Sequence, residues 1–252
     1  MLSVIRPELE AGDRIEHLHG YPTGYDTAFF LQDIFGTGPL QLESVTYYLR
    51  DIPFPRRWEL LAVRVLTSQY EELPVPASKL QQASAGADTF NIWKLDDPRG
   101  FAHLVYAAWV VNSRDEARGL AADQSFDLRH TVLLETDPGP LNNTPPEEPG
   151  SASIQTFEPE RIEIDVNAPQ NAILTLSLPY YPGWQAKIDG REVPLLRAYG
   201  SLSALYVPAG DHDVEVVYHS RWLEIGAGIT AVTLAILFLF ALSALRERPA
   251  RD

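Results

Sequence analysis

The chain has 252 residues, a formal net charge of −14 and no cysteine. An acidic balance of that size argues against a surface that neutralises nucleic-acid phosphates, and against close docking on anionic lipid. The absence of cysteine excludes disulfides, thiol nucleophiles and thiolate-bound metals.

Taken in chain order, the first twenty residues, MLSVIRPELEAGDRIEHLHG, contain no apolar run of signal-peptide length. His17 and His19 in this polar stretch read as solvated. Asp26 is placed to cap a helix through AFFLQDIF, which stops near Gly36 and Gly38. A second helix is predicted from Leu40 to Leu49. Glu59 to Ser68, ELLAVRVLTS, reads as a helix end feeding a buried strand, and residues 69–88 as a polar, Pro-containing loop. Phe90–Leu95 and Ala102–Val111 are predicted strands. Ser113-Arg-Asp-Glu116 has the capping-box pattern and opens a short helix. Thr131–Leu134 is the last strand of this part. The irregular alternation of helices and strands points to an α+β domain over residues 1–136.

Residues 137–153, DPGPLNNTPPEEPGSAS, are rich in Pro, Gly, Asn and Glu and read as a linker. Beyond it, Arg161–Val166 alternates polar and apolar residues, the period of a half-buried strand. Ala172–Leu178 follows as the next strand. Trp184–Ile188 and Arg191–Leu195 flank Asp189-Gly190, a pair suited to the positive φ angles of a type I′ hairpin turn. Ser203–Val207 and Asp213–Tyr218 flank residues 208–212 and are expected to form another hairpin. Closely spaced short strands over residues 154–220 predict an antiparallel β-sandwich.

From Ile225 to Leu245 the chain reads IGAGITAVTLAILFLFALSAL, with no charge. Its helical length of ~31 Å matches a hydrocarbon core of ~30 Å, so residues 222–245 are predicted to span a bilayer. Trp222 is placed at the outer interface, Ile225 and Leu245 bound the apolar run, and Arg246 and Arg248 follow it. These Arg residues, with Arg251, outnumber Arg221 on the other side, which places residues 246–252 in the cytoplasm and the bulk outside the cell. The expected whole is an α+β domain, then an antiparallel β-sandwich, then a single C-terminal transmembrane helix. A large domain outside the membrane without a leader peptide further suggests that a membrane region upstream is missing. A tail-anchored cytoplasmic scaffold is the alternative.

The most distinctive local feature is Tyr180-Tyr181-Pro182-Gly183-Trp184. Tyr180, Tyr181 and Trp184 are candidates for stacking on a sugar face; equally, such rings close a sandwich as a strand-end turn. Asp211-His212-Asp213 lies in a predicted turn, lacks converging ligands elsewhere, and gives no metal assignment. Asp96-Asp97 before Pro98 reads as a turn, and His103 as a satisfied histidine in a strand. No nucleophile-elbow, zincin, P-loop or dinucleotide motif is present, and no catalytic residue or cofactor is assigned.

The segment SLPYYPGWQAKIDGREVPLLRAYGSLSALYVPAGDHDVEVVYHS, followed by an apolar helix, resembles the C-terminal end of YfhO-like bacterial membrane proteins, polytopic proteins of the GT-C glycosyltransferase type. The matching positions are Tyr180 to Trp184, Asp189-Gly190, Pro208 to Gly210 with His212, and Tyr218. Upstream, GYPTGYDTAFF and LLAVRVLTS resemble the family more loosely, with Val65 where Tyr is usual. The resemblance is specific over residues 176–220 and diffuse before about residue 135. It implies a lipid-linked sugar donor and chemistry at the outer membrane face, with catalytic acids on early loops between N-terminal spans. No such spans occur in this chain, so none of those residues carries over. The resemblance therefore implies a non-catalytic, membrane-anchored module, a fragment or separate subunit. Its implied partners are the lipid bilayer, a polytopic membrane glycosyltransferase subunit, and a glycan or lipid-linked sugar. An autonomous carbohydrate-binding module is the further alternative.

Overall fold

The computed structural model describes residues 2–19, 31–34, 42–85 and 88–246. The segment GYPTGYDTAFF and Arg248 lie outside the described residues, as does most of the helix predicted from Asp26. Its described part, residues 31–34, is extended instead, with Asp33 bridging Ile15 in parallel and the Ile15 N–H donating to the Gln32 carbonyl (2.8 Å). A short helix α1 (Leu2–Ile5) precedes β1 (Arg14–His17), and α2 (Glu43–Asp51) and α3 (Arg56–Leu60) precede β2 (Val63–Ser68). Next come β3 (Ala77–Ala85), β4 (Asp88–Leu95), β5 (Ala102–Val105), β6 (Ala107–Val110), α4 (Arg114–Ala122) and β7 (Thr131–Leu134). The remaining strands are β8 (Ser151–Phe157), β9 (Arg161–Ala168), β10 (Ala172–Pro179), β11 (Trp184–Ile188), β12 (Arg191–Val193), β13 (Leu196–Ala198), β14 (Leu202–Val207) and β15 (Gly210–Tyr218). A long helix, α5 (Arg221–Arg246), ends the described chain. Residues up to Val217 form one compact unit, and Tyr218 onward a second.

Among the described residues there are three sheets, ordered β1-β2-β4-β3, β5-β10-β14-β13-β7-β6 and β12-β11-β15-β9-β8. The middle sheet contains strands from both sides of residues 137–153. That segment therefore connects strands within one unit and does not separate two folded domains. Its composition reports the lack of a periodic pattern, which says nothing about contacts made across it.

The two outer strands of the middle sheet, β5 and β6, are separated only by Tyr106. The predicted strand over 102–111 is thus one bent segment. Its first half pairs antiparallel with β10 and its second half parallel with β7. The sheet curls back on itself, which leaves few free edges.

β10 is buried over Ala172–Leu178 because both of its faces are covered. Leu174, Leu176 and Leu178 pack with Leu205 and Val207 of β14 against Ile162, Ile164, Val166, Val214 and Val216 of the third sheet. This is the sandwich core. On the other face, Ile173 joins Ala204, Trp58, Leu66, Trp93 and Leu133 in a core shared with α2, α3 and α4. The polar residues on that face are satisfied: Thr175 Oγ1 donates to the His103 carbonyl (2.9 Å) and Ser177 Oγ to the Leu60 carbonyl (2.8 Å). Arg14 ties the same region together by donating to the carbonyls of Leu61 (2.9 Å) and Ser177 (2.8 Å). Burial lowers its guanidinium pKa to about 10.

Local signals hold closely. β9 alternates between buried and outward-facing positions, with Ile162, Ile164 and Val166 inside. Asp189 and Gly190 take φ of 51° and 76°, as a type I′ turn requires, and β11 pairs with β12. Ser113 caps α4 by accepting from the Glu116 N–H at 3.2 Å, and Glu116 reaches back to the N–H of Asn112 at 2.7 Å.

Three further expectations are corrected. β14 and β15 flank residues 208–209 but belong to different sheets, so this segment crosses the sandwich and forms no hairpin. Residues 77–85 form a strand pairing with β4 at the edge of the first sheet; its Ser, Lys and Gln hide the apolar alternation. His17 is buried on β1, with Nδ1 2.8 Å from Thr67 Oγ1, because β1 pairs in parallel with β2.

α5 contains a candidate membrane span over Arg221–Leu239, with none of it buried against protein. Its full 26 residues correspond to ~39 Å of helix. Ser220 Oγ accepts from the Leu223 N–H at 3.3 Å, the usual N-cap bond. Inside the apolar run, the hydroxyls of Thr230 and Thr233 each donate to the carbonyl four residues earlier, at 2.9 Å, so neither of these two hydroxyls faces hydrocarbon unpaired. Trp222 and Ile225 are exposed.

The first sheet is tied to α3 by a buried charge pair. Both Glu16 carboxylate oxygens are used, one by Arg57 and one by the Trp58 indole N–H. Burial raises the Glu16 pKa, and the Arg57 charge opposes that shift. Removing one partner leaves a desolvated charge alone. Glu16→Ala is therefore expected to destabilise the chain by roughly 3–5 kcal/mol. The check is urea unfolding of the detergent-solubilised chain followed by tryptophan fluorescence; a midpoint unchanged from wild type would refute it.

Candidate functional site

The aromatic turn sits where β10 leaves the sandwich. Tyr180 N–H donates to the Ser201 carbonyl (2.8 Å), and Trp184 N–H to that of Tyr181 (3.3 Å), closing a turn over Pro182-Gly183. Gly183 has φ of 113°, which the third position of a type II turn favours in glycine. The three rings meet different surroundings. The Arg197 guanidinium lies over the Tyr180 ring, 4.6 Å from its centroid, and is itself held by Glu135 at 3.1 Å. Trp184 packs against the sandwich core. Tyr181 is 42% exposed.

At the opposite end of β11, the Asp189 carboxylate binds His212 Nδ1 at 2.8 Å and accepts from the Asp213 N–H at 3.0 Å. The His212 bond comes first among the effects holding Asp189 below the ordinary aspartate pKa. With Asp165, Asn167, Asp211 and Ser153, these residues line an open polar groove of about 520 Å³. Asp165 and Asp213 stand directly opposite each other across β9 and β15. No group of three or more His, Asp or Glu among the described residues is placed to hold a metal ion.

A third feature had no signal in the sequence. Trp58 of α3, Val63 of β2, Leu95 of β4 and Val75 of the loop between β2 and β3 wall an apolar cavity of about 200 Å³. Its mouth is strapped by Arg129, whose Nε donates to Glu59 (2.7 Å) while its two Nη atoms bond the Asp97 carboxylate and the Asp97 carbonyl (2.7 Å). Arg99 also lines it. Arg99 is 8% exposed, and its Nη2 donates to Thr175 Oγ1 (2.7 Å) and the Tyr199 hydroxyl (2.8 Å), with the guanidinium over the Tyr199 ring. Tyr199 takes φ of 52° in a tight turn with Gly200 at 79°. That conformation is costly for an aromatic residue, and full burial with a hydroxyl bond to the Leu128 carbonyl (3.0 Å) holds it. Asp97 does lie in a turn, yet its role here comes from Arg129, thirty-two positions away.

A β-rich unit is followed in sequence by one helix long and apolar enough to cross a bilayer. The model of a family described as "Bacterial membrane protein YfhO" matches residues 147–230, so that stretch, from β8 into α5, is a YfhO-like region. The "Uncharacterized protein YfhO" of Bacillus subtilis (strain 168) is 22% identical over 117 residues, 46% of this chain. The aligned stretch spans 14% of that protein's length. No solved structure matches the chain.

His103 adjoins the Arg99 cluster, with Nε2 3.2 Å from the Arg129 carbonyl. Burial, followed by the charge of Arg99, lowers its pKa to about 4. The folded state holds this imidazole neutral, whereas the unfolded chain protonates it below about pH 6.5. The contribution to stability is thus present above pH 6.5 and is lost as pH falls towards 4, at no more than about 1.4 kcal/mol per pH unit. His103→Gln keeps a donor for Arg129 and removes the titration. Urea midpoints from pH 7 to pH 4 should fall less steeply for this variant, and parallel curves would exclude His103 as a source of the acid sensitivity.

Proposed function

We propose that the chain is the membrane-anchored, extracytoplasmic and non-catalytic module of a YfhO-like system of the GT-C glycosyltransferase type. The observation that carries this reading is the continuity of the YfhO-like region, which passes from the sandwich strands through residue 230 of the apolar helix. The excess of Arg after the span supports a cytoplasmic C-terminus. In this reading the sandwich packs against, or shapes the acceptor site of, a polytopic subunit that binds the lipid-linked sugar. The aromatic turn then serves structure: Arg197 covers one ring and the core takes another. Exposure of Tyr181 favours a second reading, in which the turn contacts glycan directly.

The cysteine-free sequence makes topology directly measurable. Single cysteines at Ser153 and at Asp252 should respond oppositely to a membrane-impermeant maleimide in intact cells. Ser153→Cys is expected to label at once, and Asp252→Cys only after permeabilisation. The reverse pattern would establish a cytoplasmic scaffold and overturn the proposal. Sugar transfer by the purified chain from a lipid-linked donor would overturn its non-catalytic part.

A further inference from the structure

We propose that the cavity beside Trp58 binds a small monocarboxylate whose apolar body is about the size of one ring. The argument begins with volume. About 200 Å³ is somewhat larger than the ~150 Å³ engineered cavity that admits benzene, and smaller than the ~300–1,000 Å³ of sites for drug-sized ligands. A glycan or a long acyl chain is too large for it.

The walls are preorganised. Trp58 is 1% exposed, its N–H is held by Glu16, and Phe54 stacks on it with centroids 5.3 Å apart. Val63 and Leu95 are fixed on paired strands of one sheet. A ligand that fills such a space meets apolar contacts without reordering the protein.

Charge decides the ligand's polar group. Arg129 is already matched by Glu59 and Asp97 at the mouth. Arg99 is not matched: its Nη2 partners are neutral oxygens, its buried Nε has no hydrogen-bond partner, and it makes no ion pair among the described residues. A buried cation facing only neutral groups is incompletely compensated. Asp97 offsets little of that charge, because its side chain is 83% exposed and screened by water. Burial is the main reason the His103 pKa is depressed, and the charges of Arg99, Arg129 and His130 add to it. A carboxylate beside Arg99 supplies the missing negative charge.

The test uses the full chain in detergent, with 4-fluorobenzoate as probe and 4-fluorobenzyl alcohol as its neutral counterpart, both followed by fluorine NMR. The expected result is saturable benzoate binding at least tenfold tighter than that of the alcohol. Val75→Trp, a substitution at a half-buried loop position, should fill the cavity and weaken benzoate at least tenfold while leaving the thermal midpoint unchanged. Arg99→Gln should bring the two probes to equal affinity. Wild-type binding no stronger than that of a folded Val75→Trp chain, or alcohol bound as tightly as benzoate, would overturn the proposal.

Discussion

The structure depends on the burial of β10 on both faces. A strand in the middle of a sheet with one face on a sandwich core needs a second layer if its other face is also apolar. Ala172–Leu178 meets both demands, with Leu174 and Leu176 toward the third sheet and Ile173 toward the helices of the N-terminal part. The hydroxyls of Thr175 and Ser177 then need acceptors from outside the strand, and they find them on His103 and Leu60. The N-terminal residues are thus the second layer over the C-terminal strands, which is why Met1–Val217 holds together as one unit.

What the sequence made legible was local. The alternation of Arg161–Val166, the Asp189-Gly190 turn and the Ser113 cap each depend on neighbours within a few positions, and the structure contains all three. The apolar run of α5 was legible for the same reason, since hydropathy and length are properties of the segment alone. Partnership was not legible. Pro208-Ala209 looks like a hairpin connection because a turn that joins two strands of one sheet and a turn that passes between two sheets use the same residues. Tyr106 bends a strand that reads as continuous, because each half is apolar enough to pair with a different neighbour. β3 was hidden because an edge strand, with one ladder partner and solvent on its other side, is free to be polar.

The candidate site divides along the same line. The aromatic turn stands out in sequence because five distinctive residues are contiguous, but the cover over Tyr180 comes from Arg197 and Glu135, which no spacing rule connects to it. The cavity beside Trp58 is the extreme case. It joins α3, β2, β4, a loop and Arg129, and its charge logic rests on an arginine that pairs with no acid among the described residues. A buried arginine cannot be recognised from its neighbours in sequence when its partners are Thr175 and Tyr199, seventy-six and one hundred positions away.

The extent of the YfhO-like region has a structural consequence. Residues 147–230 include every strand of the third sheet but only β10, β13 and β14 of the middle one. The strands that flank this trio, β5 beside β10 and β7 beside β13, lie before residue 147. Within the matched stretch alone, β10 would lose its ladder with β5, and Ile173 and Ala204 would lose the helical layer that buries them. Unpaired edges and a bare apolar face of this kind invite association with other chains. The recognisable region is therefore part of a folding unit, and the less recognisable N-terminal residues supply what it lacks: two ladder partners, acceptors for two buried hydroxyls, and the second face of the core.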